Sequence, residues 1–124
     1  MEIRYWCSSS GRSYVGKFID KQTAMTQKVI IADLKLMSQY GYDATMRAHH
    51  CDVKVLQGNK MRERKIHELI VRQAKVSFRI FFVMRDSVCW LLHIFKKESN
   101  RTPPKELEIA YKRACDLDCY LAAL

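Results

Sequence analysis

Ile66-His67-Glu68-Leu69-Ile70-Val71-Arg72, Val76-Ser77-Phe78-Arg79-Ile80-Phe81-Phe82-Val83 and Val88-Cys89-Trp90-Leu91-Leu92-His93-Ile94-Phe95 are three apolar runs of strand length, with Gln73-Ala74-Lys75 and Arg85-Asp86-Ser87 between them. β-Branched and aromatic residues at period two, joined by connections this short, predict consecutive antiparallel strands. Arg79 is out of place in that pattern. A guanidinium among Phe, Ile and Val is costly to bury unless something anionic meets it. Strand alternation puts Phe78 and Ile80 on one face and Ser77, Arg79 and Phe81 on the other, so the cation is held in a fixed direction.

Downstream, the third strand ends at Lys96-Lys97, and Ser99-Asn100-Arg101-Thr102 reads as a loop. Thr102 is expected to cap a helix whose first residue is Pro103. Leu107, Ala110, Ala114 and Leu117 recur at helical spacing as its buried stripe, with Lys105, Glu108 and Lys112 outward. Upstream, Lys21 to Tyr40 is the clearest helix. It carries Met25, Val29, Ala32, Leu36 and Tyr40 on one stripe and Ile30, Leu34 and Met37 beside it. Gly41 follows where a left-handed residue ends a helix.

Ser13 to Asp20 suits a short helix with Val15, Phe18 and Ile19. Glu2 to Cys7 and Asp52 to Leu56 suit strands. Ser8-Ser9-Ser10-Gly11 and Gln57-Gly58-Asn59-Lys60 read as turns, and Tyr42 to Cys51 as irregular. The predicted fold is α+β: N-terminal helices packed on a small twisted antiparallel sheet, with a C-terminal helix, in one domain over residues 1–124.

Composition limits the function classes. Hydrophobic residues are 48% and charged residues 28% of the 124, a globular rather than disordered profile. The apolar runs are far short of the roughly 20 residues that a membrane-crossing helix needs, and Met1-Glu2-Ile3-Arg4-Tyr5 lacks a signal-peptide core. Five cysteines without framework spacing fit free thiols and a cytoplasmic setting. The 22 basic and 13 acidic side chains leave +9, which points to a polyanionic partner. Between Lys60 and Arg101 eleven cations face four acids (Glu63, Glu68, Asp86, Glu98), so that stretch carries +7.

The ordered set of pieces resembles a family. Gly11 with Phe18-Ile19, the Leu34-to-Gly41 helix end, Leu56-Gln57-Gly58, Ile66-His67-Glu68-Leu69 and Ser77-Phe78-Arg79-Ile80-Phe81-Phe82 come first. Leu91-Leu92-His93-Ile94-Phe95-Lys96-Lys97, Thr102-Pro103, Glu106 and Ala110 to Arg113 complete it. Together they look like a RelE/ParE-superfamily toxin of the HigB-like, phage-derived branch. The resemblance implies a RelE-like fold and the toxin of a type II toxin–antitoxin pair, cutting mRNA on the ribosome. It also implies a cognate antitoxin, commonly a helix-turn-helix DNA-binding protein, in a toxin–antitoxin hetero-oligomer. No metal or other cofactor is expected.

Metal-independent RNA cleavage needs the 2′-hydroxyl deprotonated, the phosphorane's charge neutralised and the 5′-oxygen protonated. Arginine suits the second task, because its planar fork meets two phosphate oxygens and stays protonated. Arg79 matches the family's arginine after an aromatic. Arg72 lies where the neighbouring strand places basic residues, and Lys97 or Lys96 matches the basic end of the last strand. Proton transfer falls to Lys65, His67 or His93. Arg64, His67, Lys75, Lys96 and Arg101 are expected to line the RNA path. Two departures stand out: Ile70 replaces the arginine of the family's Glu-Leu-Arg, with Arg72 two positions on, and Tyr111 aligns only loosely with an aromatic hydroxyl used by some relatives.

Bland readings compete with each of these. His93 on an apolar strand serves equally as a core histidine, and His67 as a surface one. His49-His50-Cys51 with Cys115 and Cys119 lack the close-spaced pairs of a zinc site. Cys89 reads as core, and Tyr5, Trp6 and Trp90 as packing. Two other functions also fit the sequence. One is a ParE-like toxin that inhibits a protein such as DNA gyrase, and the other is a basic nucleic-acid-binding domain without chemistry.

Overall fold

Two-residue turns build the middle of the sheet. Strand β3 (His67–Gln73) turns through Ala74-Lys75 into β4 (Val76–Arg85), which turns through Asp86-Ser87 into β5 (Val88–Lys97). Ala74, Asp86 and Ser87 take φ of 52°, 52° and 66°, and the positive pair at Asp86-Ser87 gives a twist that matches the flanking strands. The computed structural model describes residues 1–40, 52–98 and 101–124. Gly41, Tyr42 to Cys51 (His49, His50 and Cys51 included), Ser99 and Asn100 lie outside them.

Strands β1 (Glu2–Tyr5) and β2 (Asp52–Val55) complete a five-stranded sheet of order β1-β5-β4-β3-β2. β2 to β5 pair antiparallel as predicted, but β1 adds parallel to β5, Glu2 opposite Val88 and Tyr5 opposite Leu91. The sheet is therefore mixed. Helices α1 (Tyr14–Asp20) and α2 (Ala24–Tyr40) form the crossover that follows β1 and cover one face. The C-terminal helix α4 (Pro104–Ala122) covers the other.

Strand alternation divides the core. Phe78, Ile80 and Phe82 meet Val15, Ile30 and Leu34 from α1 and α2. Phe81 and Val83 meet Ala110, Ala114 and Leu117 from α4. A register shift on β5 pairs Phe81 with His93 and Phe82 with Leu91. The extra residue, Leu92, joins the α4 cluster, so two consecutive residues of β5 reach the same helix.

Three local expectations need correction. The buried stripe of α2 is Thr26, Ile30, Leu34 and Met37, and Met25 (66% exposed) and Tyr40 (49%) lie outside it. The sheet sets that choice, because it receives the larger aliphatic set. Gln57 to Lys60 is not only a turn: Gly58, at φ 102°, opens the short helix α3 (Asn59–Arg64), whose Met61 is buried. Pro103, not Thr102, is the cap of α4, and its ring has no acceptor for a side-chain cap bond; the Thr102 hydroxyl, one residue earlier, accepts from Lys97 instead. Pro104 fills the first helical position.

Cations also clamp the fold. Arg85 Nε and Nη2 donate to Asp118 Oδ1 (2.7 Å) and Oδ2 (3.2 Å), and Nη2 donates to the Arg64 carbonyl (2.8 Å). Arg64 Nη1 donates to Asp118 Oδ2 at 3.1 Å, so β4, α3 and α4 share one carboxylate. The Arg85 hydrogen bond holds the Asp118 carboxyl below its ordinary value. Among the described residues no helix is long and apolar enough to cross a membrane.

Candidate nucleic-acid interface

On the α4 face the register sets three rows across the strands. Lys54, Glu68, Phe81 and His93 form the first; Asp52, Ile70, Arg79 and Phe95 the second; Arg72, Ser77 and Lys97 the third. Glu68 therefore lies diagonally beside Arg79, within reach of a long side chain. Arg79 Nη1 donates to Glu68 Oε1 at 3.1 Å, and its Nε donates to Ser77 Oγ at 3.0 Å. Lys54 Nζ approaches the same Glu68 oxygen at 3.7 Å. Glu68 is wholly buried, and its Oε2 has no hydrogen-bond partner among the described residues.

Lys97, 8% exposed, donates from Nζ to Thr102 Oγ1 at 3.0 Å. Burial lowers its pKa from lysine's ordinary 10.5, and the Arg79 charge lowers it further. Lys54, Arg79 and Lys97 thus surround a single carboxylate, leaving this corner at +2. Fixed cations of this kind, partly stripped of water, are what a phosphodiester would meet.

The predicted residues divide into three groups. Arg79, Lys97 and Arg72 share the face and the strand end, as expected, and exposed Lys75 sits at the adjoining turn. Arg72 is 62% exposed and paired with Asp52. His93 lies on the same face but is engaged with α4: Nε2 meets Glu106 Oε2 at 2.8 Å, and Nδ1 faces Arg113 Nη1 at 3.4 Å. Arg113 also donates to the Leu92 carbonyl at 2.8 Å.

The remaining cations fall elsewhere. Lys65 caps α3 at φ 56° beside the start of β3, roughly 20 Å of strand away from Arg72. Arg64 is held by Asp118, and His67 stacks on Phe82 on the α1–α2 face. Lys96 pairs with Phe78 on that same face and with Glu98 at 3.4 Å. Arg101 is exposed in the loop before α4. Tyr111 donates to Glu63 at 3.2 Å.

Sequence reasoning missed Lys54, Glu68 and Thr102 as members of the corner. Glu68 was readable as the only acid within the three quoted strands, whereas Lys54 arrives from an edge strand. A cavity of about 890 Å³ lies apart from the corner, lined by Tyr5, Trp6, Trp90, Leu117 and Tyr120, with Asp116 as its acid. Among the described residues its wall holds no lysine or arginine, so it offers a phosphate no cation.

Burial outweighs Glu106 and holds the His93 pKa below 6.5; burial acts likewise on His67. The folded chain thus favours neutral imidazoles. Their contribution to stability is fully present above about pH 6.5 and is lost as pH falls through the folded values. Urea midpoints are expected to drop between pH 7 and 5, and the drop should be smaller in His93→Gln. An equal drop in both proteins would remove His93 from the effect.

The architecture is α+β and consistent with a RelE-like fold, with Lys54, Arg79 and Lys97 gathered at one corner of the sheet. Residues 17–114 match a family model, and the chain belongs to the phage-derived protein Gp49-like family (DUF891), which is associated with RelE-like, toxin-like proteins. Among curated proteins none matches the chain.

Proposed function

We propose that the chain is the toxin of a type II toxin–antitoxin pair, in the HigB-like branch, and that it cuts mRNA on the ribosome. Family membership supports the class, and the Lys54–Arg79–Lys97 cluster around Glu68 is the observation that carries the chemistry. The 2′-oxygen attacks the adjacent phosphorus, the P–O5′ bond breaks, and a 2′,3′-cyclic phosphate and a 5′-hydroxyl result. Arg79 stabilises the phosphorane. Neutral Lys97 takes the 2′-hydroxyl proton, a role its lowered pKa favours, and water protonates the 5′-oxygen. The proton-transfer role thereby moves from Lys65, His67 and His93 to Lys97. A helix-turn-helix antitoxin is the proposed partner.

The test is primer extension on mRNA in a purified translation system. Cuts at the ribosomal A site with cyclic-phosphate ends are expected. Their rate should rise with pH and level off below 10.5, and Lys97→Met should abolish that rise. Intact mRNA with stalled synthesis would overturn the nuclease reading.

One observation favours a second reading, inhibition by binding without cutting. Arg79 is only 13% exposed and already paired, so a phosphate must compete with Glu68. Salt-sensitive RNA binding without product would select that reading.

A further inference from the structure

Arg12, Lys17 and Lys21, on and beside α1, contrast with five cations of α3 and the sheet. Arg64, Arg72, Arg79, Arg85 and Lys96 each meet a carboxylate. Among the described residues Arg12, Lys17 and Lys21 form no ion pair. All three are exposed, and with Tyr14 and Phe18 they line a groove of about 350 Å³ that has no acid in its wall. Tyr14, Lys17, Phe18 and Lys21 recur at three- and four-residue spacing, so they share one face of the helix.

Tyr14 is 42% exposed yet fixed. Its ring stacks with Trp6 at 6.4 Å, and the Arg113 guanidinium lies 4.7 Å from its centroid and 4.9 Å from that of Trp6. Arg12 hovers 5.8 Å from the same ring. Phe18 is held edge-on by Phe78 at 6.1 Å. An ordered aromatic surface flanked by cations without ion pairs suits a single strand of nucleic acid: bases stack on rings, while phosphates meet ammonium and guanidinium groups.

We propose that the outer face of α1, with Arg12, is a second RNA-binding surface that takes a single-stranded segment. Tyr14 and Phe18 meet its bases, and Arg12, Lys17 and Lys21 meet its phosphates. Phe18 packs on the α1–α2 side of the sheet, away from Arg79, while Tyr14 reaches the edge where Trp6 and Arg113 of α4 meet it. A polyglutamate chain would use the cations but not the rings.

Fluorescence anisotropy of the full chain with a fully 2′-O-methylated uridine dodecamer tests this, since that strand keeps bases and phosphates but cannot be cut. Lys17→Glu/Lys21→Glu should weaken binding at least tenfold at 50 mM salt. It should also lower the slope of log K against log salt by about 1.4, that is about 0.7 for each phosphate no longer neutralised. Tyr14→Leu should weaken binding about five- to tenfold with the slope unchanged. Thermal melts check that each variant folds, and Lys105→Glu/Lys112→Glu on α4 controls for net charge. Binding that falls equally in this control, or duplex RNA bound as tightly as the single strand, would overturn the proposal. So would competition by polyglutamate that is untouched by Tyr14→Leu.

Discussion

Arg79→Ala is expected to lower A-site mRNA cleavage by about 10²- to 10³-fold, the usual consequence of removing one preorganised group from a developing oxyanion. Arg79→Lys should recover only part of the rate, because an ammonium keeps the charge but loses the fork that spans two phosphate oxygens and the Nε bond to Ser77. Lys97→Met gives a separate entry to the same corner: it leaves the Arg79–Glu68 pair in place and removes the neighbouring base. Primer extension at matched, melt-verified concentrations of folded protein reads all three. Wild-type cutting by Arg79→Ala would take Arg79 out of the chemistry. Cutting lost in Arg79→Ala but kept in Lys97→Met would leave the clamp and dismiss the base.

The strands of this corner were legible because period-two alternation and short turns are local signals. They placed Ser77, Arg79 and Phe81 on one face, and the structure keeps them there. Register is not local. That Glu68 would sit diagonally beside Arg79, and that Lys54 would reach the same oxygen, depends on which residues oppose one another on β2, β3 and β4. Counting charge along the chain misled for a related reason. The Lys60-to-Arg101 stretch reads as +7, yet Asp52 and Glu108 from outside it pair with Arg72 and Lys60, and Asp118 is shared by Arg64 and Arg85. Arg12, Lys17 and Lys21 looked ordinary in the sequence and gain significance because the fold sets them around Tyr14 and Phe18 in one groove, with no ion pair to them among the described residues. β1 pairs parallel with β5, the strand farthest from it along the chain, and a partner that distant is encoded by no hairpin signal.

The Arg79–Glu68 pair also makes a prediction about stability, and its sign separates two roles. Glu68 is fully buried, so Arg79→Ala leaves a carboxylate whose one remaining ion pair is the 3.7 Å approach of Lys54, with the Lys97 charge nearby, and a loss of about 3–5 kcal/mol is expected. Removing both charges removes that penalty. Glu68→Leu/Arg79→Leu should therefore unfold in urea within about 1 kcal/mol of the parent chain or above it, because apolar pairs of similar volume replace buried ion pairs at little cost. Glu68→Leu, Arg79→Leu and the double variant form a cycle whose coupling measures the interaction. If the double variant is as stable as the parent and does not cut RNA, the ion pair is not required for folding, and its role lies in presenting the guanidinium. If the double variant is as unstable as Arg79→Ala, the pair is itself a structural element of the sheet end. Arg79 would then be held for the fold, and its place at a phosphate would lose its physical basis.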